Sequence, residues 1–302
     1  MARNRFLPLR RALGVNAVFS TSCGLLLLSL PAGVASFVGA GPDLLYQLIG
    51  AGLLIFALAI AFLVKQSEPL PAAALIVSIA DLGWVAGSAL LLAIASTYLS
   101  APGIAIIVFV ALIVGGAACS QLYGIYRVFA APEIGSDAYR IRLEFPVMAP
   151  PEQMWSRIRD LGNIDQYTSD LAESFLRGDA EVAPGAVREC KNLRGDRWAE
   201  ECTLIDDTHN ELELRFLCEE PNFPFPVEKM KGGWKVRPNA SGAIVKIWWV
   251  AQYTPAIISP FLFSLMHWRL RRTMGELVAT MSADRSGPMT TSVASTDARV
   301  PG

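Results

Sequence analysis

The sequence predicts two structural classes in one chain. The first is an all-α membrane half, a four-helix bundle. The second is an α+β half, an antiparallel sheet followed by a long C-terminal helix. Three observations predict this. Four apolar stretches, at about 12–31, 44–64, 72–96 and 103–126, each match the roughly 20 residues a spanning helix needs. Charge is divided unevenly, with a net of +3 over residues 1–129 and −4 over 130–302, hidden inside an overall −1. Beyond residue 138 the apolar residues recur every second position and then change to helical spacing. The chain is 302 residues long, 53% hydrophobic and 18% charged. That excludes a disordered protein and fits poorly with one soluble domain, which would be about a quarter charged.

Residues 1–129 form the predicted four-span transmembrane domain. Pro31, Pro42, Pro69, Pro71 and Pro102 punctuate the apolar stretches, and the connections are short, so sequence neighbours should run antiparallel. Arg3, Arg5, Arg10 and Arg11 precede the first span, Lys65 follows the second, and Arg127, Arg140 and Arg142 follow the fourth. The loops at 32–43 and 97–102 have neither Lys nor Arg. The positive-inside rule then places both termini and the second half in the cytoplasm, as in a multi-pass protein of a cytoplasmic (inner) membrane. The first stretch also has the outline of a cleavable signal peptide, and its removal would leave the second half on the same side.

Polar residues inside spans are candidates for function. Asn16, Ser20, Asp81 and Gln121 form the predicted membrane polar cluster. Asn16, Ser20 and Gly24 lie on one helix face, and Gly116, Ser120 and Gly124 repeat that spacing in the fourth span. The cluster reads either as a proton-linked polar site or as an interhelical hydrogen-bond network that fixes the bundle. Without an internal repeat of the spans, the second reading is favoured over transport.

Residues 130–138 read as a linker, at most about 30 Å long when extended. Residues 139–282 are the soluble domain, and 283–302, rich in Ser, Thr, Ala, Gly and Pro, read as a disordered tail. Residues 139–145 alternate as a strand, and Pro150-Pro151 opens a short helix with Met154, Trp155 and Ile158 on its apolar side. Strands follow from about 171 to 253, with a turn at Asp206–Asn210. Alternation places Trp198, Glu200, Cys202 and Leu204 on one face of their strand, Leu214 and Phe216 on one face of the next, and Trp249 and Tyr253 together on the last. The closing helix, about 256–282, has an apolar stripe of Phe263, Met266, Leu270, Met274, Leu277 and Met281.

The stretches APPEQMWSRIRDLGNIDQY (149–167), PGAVREC (184–190), WAEECTLIDD (198–207), GGWKVRP (232–238) and VKIWWVAQYTP (245–255) resemble the SRPBCC or START-like superfamily, near its polyketide cyclase/dehydrase branch. The resemblance covers about 139–282. The four spans resemble small bacterial four-helix membrane modules that accompany such domains. The resemblance implies a helix-grip fold, a curved antiparallel sheet wrapped on the long C-terminal helix around an apolar cavity. Members bind sterols, lipids, polyketides, quinones or hormones, and a minority catalyse cyclisation or dehydration, so fold leaves function open.

If that cavity is present, the inward faces assign Arg188, Trp198, Glu200, Leu214, Phe216, Trp234, Trp249, Tyr253, Phe263, Met266, Leu270 and Met274 to its lining. Glu200 and Arg188 match recurrent positions of the family. They read as a polar anchor or proton donor, or as a structural ion pair. No catalytic residue is assigned, because no nucleophile and base occur together in a recognisable pattern. His267 could face the cavity mouth. The greasy Phe223–Pro226 and Ile257–Trp268 stretches would either dock on lipid or pack into the domain core or against the four-helix bundle. Five cysteines without a CxxC pair and two histidines imply no metal site, and no cofactor is implied. The expected partners are the bilayer and a hydrophobic small molecule or lipid. Nucleic acid is excluded by the negative second half, which has no basic stripe. Three functions remain open: binding, transfer or sensing of a hydrophobic ligand; a cyclase or dehydratase; and a structural or signalling partner of another membrane protein.

Overall fold

The computed structural model describes residues 5–66, 68–131, 138–178, 181–253 and 259–283. The N-terminal half contains, among the described residues, α1 (Leu7–Ser29), α2 (Pro31–Val38), α3 (Asp43–Lys65), α4 (Pro71–Ala95) and α5 (Ala101–Phe129). Helices α1, α3, α4 and α5 are long and apolar enough to cross a membrane. The short α2 lies where the sequence suggested only a loop. Pro31 starts this helix instead of merely ending α1, because a proline's fixed φ and missing N–H suit the first helical turn. Gly39 closes α2 in the left-handed conformation. At the start of α5, the Ser100 hydroxyl accepts from the Gly103 amide at 2.9 Å. The absence of a side chain at Gly103 brings this turn against Val38.

Helix α1 packs on both α3 and α5, and α4 packs on α5, whereas the sequence neighbours α3 and α4 touch only briefly. Small residues decide this order. A Cβ on Gly24 would stand 2.9 Å from the Gly50 carbonyl, and one on Gly124 would stand 2.7 Å from Leu9 Cα. Two backbones therefore approach α1 closely, as small-residue stripes allow in membranes.

The second half contains β1 (Ala138–Val147), α6 (Pro151–Arg159), a 3-10 segment (Leu161–Tyr167), β2 (Leu171–Leu176), β3 (Val187–Asn192), β4 (Arg197–Asp206), β5 (Glu211–Phe216), β6 (Val227–Asn239), β7 (Gly242–Tyr253) and α7 (Ser259–Ser282). The described strands form one antiparallel sheet in the order β1-β7-β6-β5-β4-β3-β2. With α7 this is the arrangement of a helix-grip fold. Register fixes the inner face, since Ile141 pairs with Trp249, Trp249 with Gly232, Gly232 with Leu214, and Leu214 with Cys202. The paired Gly232-Gly233 makes room for the paired Trp248-Trp249. Added Cβ atoms would lie 2.9 Å from the Trp249 ring on one face and 2.6 Å from the Trp248 ring on the other.

One expected face needs correcting. A bulge between Cys202 and Leu204 shifts the register, so Ile205 pairs with Leu212 and Leu204 is exposed. The extra residue in β4 ends the simple alternation there.

Helix α6 ties the sheet to α7. The Trp155 indole donates to Asp207 at 2.9 Å, and Arg157 donates to the carbonyls of Met281 and Ala283 at the end of α7. A cation at a helix C-terminus satisfies carbonyls that have no partner within the helix. Beneath the sheet, Leu212, Leu214, Trp234, Val245, Ile247, Leu277 and Met281 pack with α6 residues into one core.

A second core joins the two halves. It combines Phe6, Leu9, Ile60, Leu75, Ile125 and Phe129 of the bundle with Tyr139, Ile141, Leu143 and Ala251 of the sheet and Phe263 of α7. At its edge Glu68 pairs with Arg271 at 3.1 Å and lies 3.6 Å from Arg5. The expected linker is held at both ends, because the Ala131 amide donates to the Ala138 carbonyl at 3.0 Å and Ala130 bridges Tyr139. Residues 132–137 and the expected tail from 284 lie outside the described residues.

Candidate functional site

The inner face of the sheet divides into an apolar floor, a polar end and a half-buried apolar group under α7. Leu214, Phe216 and Trp234 are buried and form part of the floor. The polar end is made by adjacent strands. Arg188 on β3 pairs across to Glu200 on β4, and Glu200 pairs across to Phe216 on β5. Arg188 Nη2 donates to Glu200 Oε2, and the Trp198 indole donates to Glu200 Oε1 at 2.6 Å. Arg188 Nη1 also reaches the Leu161 carbonyl at 3.4 Å, whereas its Nε has no partner among the described residues. Arg188 and Glu200 are only 5% and 4% exposed, so both charges have left water.

Burial alone would make the Arg188 guanidinium easier to deprotonate, but the adjacent Glu200 carboxylate outweighs it, and the net shift is upward. Burial, with Glu200 nearby, pushes the Cys190 thiol up to about 12, so it stays protonated and inert as a nucleophile. Trp198 continues outward to Phe225 at 5.6 Å between ring centres, and Phe225 to Phe223 at 5.4 Å. The Phe-Pro-Phe-Pro loop thus closes the polar end, with Phe225 38% exposed.

Under α7 the packing is looser. Trp249, Met266, Leu270 and Met274 are half-buried together with Phe145 and Met230, while neighbours such as Leu143, Ile247 and Leu277 are fully buried. Phe145, Trp249 and Met274 border both cores. Phe145 and Met230 were missed in the sequence-derived lining. Phe145 shares a face with Ile141 and Leu143, which strand alternation alone could have revealed. Met230 lies among Glu228, Lys229 and Lys231, which masks it.

Other expected positions lie elsewhere. Phe263 packs at the junction with the bundle, its ring 6.0 Å from Phe129 and 5.1 Å from Tyr139. The side chain of Tyr253 lies outside the described residues. His267 faces the junction with the bundle, its ring edge-on to Phe129 at 5.9 Å.

In the N-terminal half, Asn16, Ser20, Asp81 and Gln121 are buried in one hydrogen-bonded network. Asp81 Oδ2 accepts from Asn16 at 2.7 Å and from Gln121 at 2.9 Å. Ser20 donates to Asn16 at 3.1 Å, and Ser78, absent from the sequence reading, donates to Gln121 at 2.9 Å. The network joins α1, α4 and α5. Beside it a groove of about 660 Å³ runs between α1 and α5, bordered by Arg11, Val15, Asn16, Gly116 and Ser120. Among the described residues no three His, Cys, Asp or Glu side chains gather as a metal site.

Sequence comparison agrees with this sheet-and-helix arrangement at one point. Residues 139–282 match the family described as polyketide cyclase / dehydrase and lipid transport. No curated protein matches the chain. Solved structures similar to it include norcoclaurine synthase from Thalictrum flavum in complex with dopamine and hydroxybenzaldehyde. That match has 15% identity over 48% of this chain and 84% of that chain, with a TM-score of 0.39. A protein from Thermus thermophilus is 18% identical over 47% of this chain and 94% of its own, with a TM-score of 0.37. Within the polyketide cyclase / dehydrase and lipid transport family match, Arg188, Glu200 and the residues under α7 all fall inside the matched segment.

Proposed function

We propose that this protein is a membrane-anchored module that binds a hydrophobic small molecule or lipid between its sheet and α7, on the cytoplasmic side of a bacterial inner membrane. The observation that carries the reading is the half-buried apolar group of Phe145, Met230, Trp249, Met266, Leu270 and Met274 between the sheet and α7. Three of the six are methionines, whose flexible thioethers adapt to ligands of irregular shape. The Arg188–Glu200 pair supplies a polar end, and the unpartnered Arg188 Nε is a donor for a ligand oxygen. The family description, which includes lipid transport, supports the ligand class. The arginines at the start of α1 and the end of α5 support the orientation. The cyclase or dehydratase alternative would use the same charged pair as its acid. Against it, the adjacent Glu200 shifts the Arg188 guanidinium upward, which makes it a poorer proton donor.

Photo-crosslinking tests the location. A diazirine-bearing fatty acid added to the full chain in nanodiscs should label peptides covering Met266–Met274 and Trp249. The bulky Leu270→Trp variant should remove that labelling while labelling of α1–α5 by bulk lipid persists. Labelling confined to the spanning helices in the unmodified protein would contradict the reading.

A further inference from the structure

His267 is 2% exposed, yet neither ring nitrogen has a hydrogen-bond partner among the described residues. Nearly all buried polar groups in proteins are paired, so two unpaired nitrogens on one ring require a reason. The ring borders a cleft of about 360 Å³ at the junction of the two halves. Gln66, Glu68 and Leu70 of the α3–α4 turn form one wall, and Trp268, Arg271 and Arg272 of α7 form the other.

The charges around the cleft do not cancel. Glu68 is shared between Arg271 at 3.1 Å and Arg5 at 3.6 Å. Arg272 has Glu276 at 3.2 Å, one turn along the same exposed helix face. Three guanidinium groups thus meet two carboxylates, and the nearest donor behind them is an imidazole that lacks an acceptor. The cleft also lies between the end of α3 at Lys65 and the start of α4 at Pro71. Leu262, Leu265 and Trp268 are exposed at three-residue intervals along α7. An exposed apolar edge beside arginines is the pattern of a helix lying at a lipid headgroup surface.

We propose that this cleft binds an oxyanion of the phosphate class, with Arg271 and Arg272 supplying charge and the His267 ring N–H donating from behind. Glu68 faces the same space and remains on Arg5 when the anion takes Arg271. Two sources share this chemistry, the headgroup of an anionic phospholipid and a free phosphate. The Leu265 and Trp268 edge favours the headgroup. The site is separate from the apolar region under α7 and does not depend on it.

The chain has two histidines, so His209→Asn leaves His267 as the sole imidazole signal in a histidine-labelled NMR spectrum. The full-length protein is placed in phosphatidylcholine nanodiscs, in the same discs with added inorganic phosphate, and in discs containing phosphatidylglycerol. The His267 resonance should move, and its titration should shift upward, in phosphatidylglycerol discs. Arg272→Gln should weaken that response about tenfold, as expected for loss of one charged hydrogen bond. A response to inorganic phosphate alone also supports the site and assigns it to a free anion. No movement in either arm overturns the proposal, as does a response unchanged in the Arg271→Gln/Arg272→Gln double variant. His267→Phe, which preserves ring packing on Phe129, should fold and lose retention of phosphatidylglycerol through purification. Full retention by that variant would remove His267 from the site.

Discussion

Replacing Arg188 with methionine should destabilise the protein by about 3–5 kcal/mol, one of the largest effects expected of any single substitution outside the four long apolar helices. The reason is not that the Arg188–Glu200 pair stabilises strongly. Bringing two charges out of water costs several kcal/mol per ion, which their attraction only offsets. Removing one partner leaves Glu200, 4% exposed, as an uncompensated charge beside Trp198 and Phe216. The double variant Arg188→Met/Glu200→Leu should therefore recover most of the loss and could exceed the parent in stability. Thermal unfolding of the three proteins in detergent checks this. If the double variant is as unstable as the single one, the pair is a structural requirement of the sheet. If it is stable but no longer retains a hydrophobic ligand, the pair is a polar anchor kept for binding.

The second large effect concerns pH. Burial, together with Arg5 and Arg271, pushes the His267 imidazole down to about 4 from an ordinary 6.5. Above pH 6.5 the ring is neutral whether folded or unfolded, and its contribution to stability does not vary. Between 6.5 and 4 the unfolded chain takes up a proton that the folded one refuses, so stability falls as the pH drops. The loss across that window is about 3 kcal/mol, at 1.36 kcal/mol per pH unit. The groups that face the ring account for the direction. Arg5 and Arg271 are cationic, Glu68 is already committed to both, and Phe129 offers only its ring. Carboxylates elsewhere also titrate in acid, so the informative quantity is the difference between the parent and His267→Phe in zwitterionic lipid. That difference should grow as pH falls from 6.5 to 4. Parallel stability curves would show that His267 is not held neutral by the junction.

Much of the architecture was legible because periodicity survives burial. The four apolar stretches are the four long helices, and the alternation in 211–216 and 243–253 gives the faces seen in β5 and β7. Where one extra residue interrupts a strand, as between Cys202 and Leu204, alternation assigns the wrong face from that point on. Helix α2 was missed because proline is both a stop and a start, and local sequence does not choose between them. The core shared by the two halves was legible only as one of two open readings, with the Ile257–Trp268 stretch packing on the bundle or docking on lipid. Phe129, Tyr139 and Phe263 are each reasonable in a span, a strand or a cavity, and only their meeting shows that sheet and bundle share one interior. Arg188 and Glu200 could be paired through neighbouring strands, whereas nothing in the sequence brings His267 to the α3–α4 turn.

That shared core also decides how the central claim is tested. A detached soluble half would expose Tyr139, Ile141 and Phe263, so the full chain is the object to measure. Native mass spectrometry of the full-length protein, released from detergent, should show a bound hydrophobic species at up to one copy per chain. Solvent extraction should recover the same species, and the Leu270→Trp protein should carry little or none of it. A parent protein that is folded and free of any such species, and that gains none when incubated with a membrane lipid extract, would contradict the account.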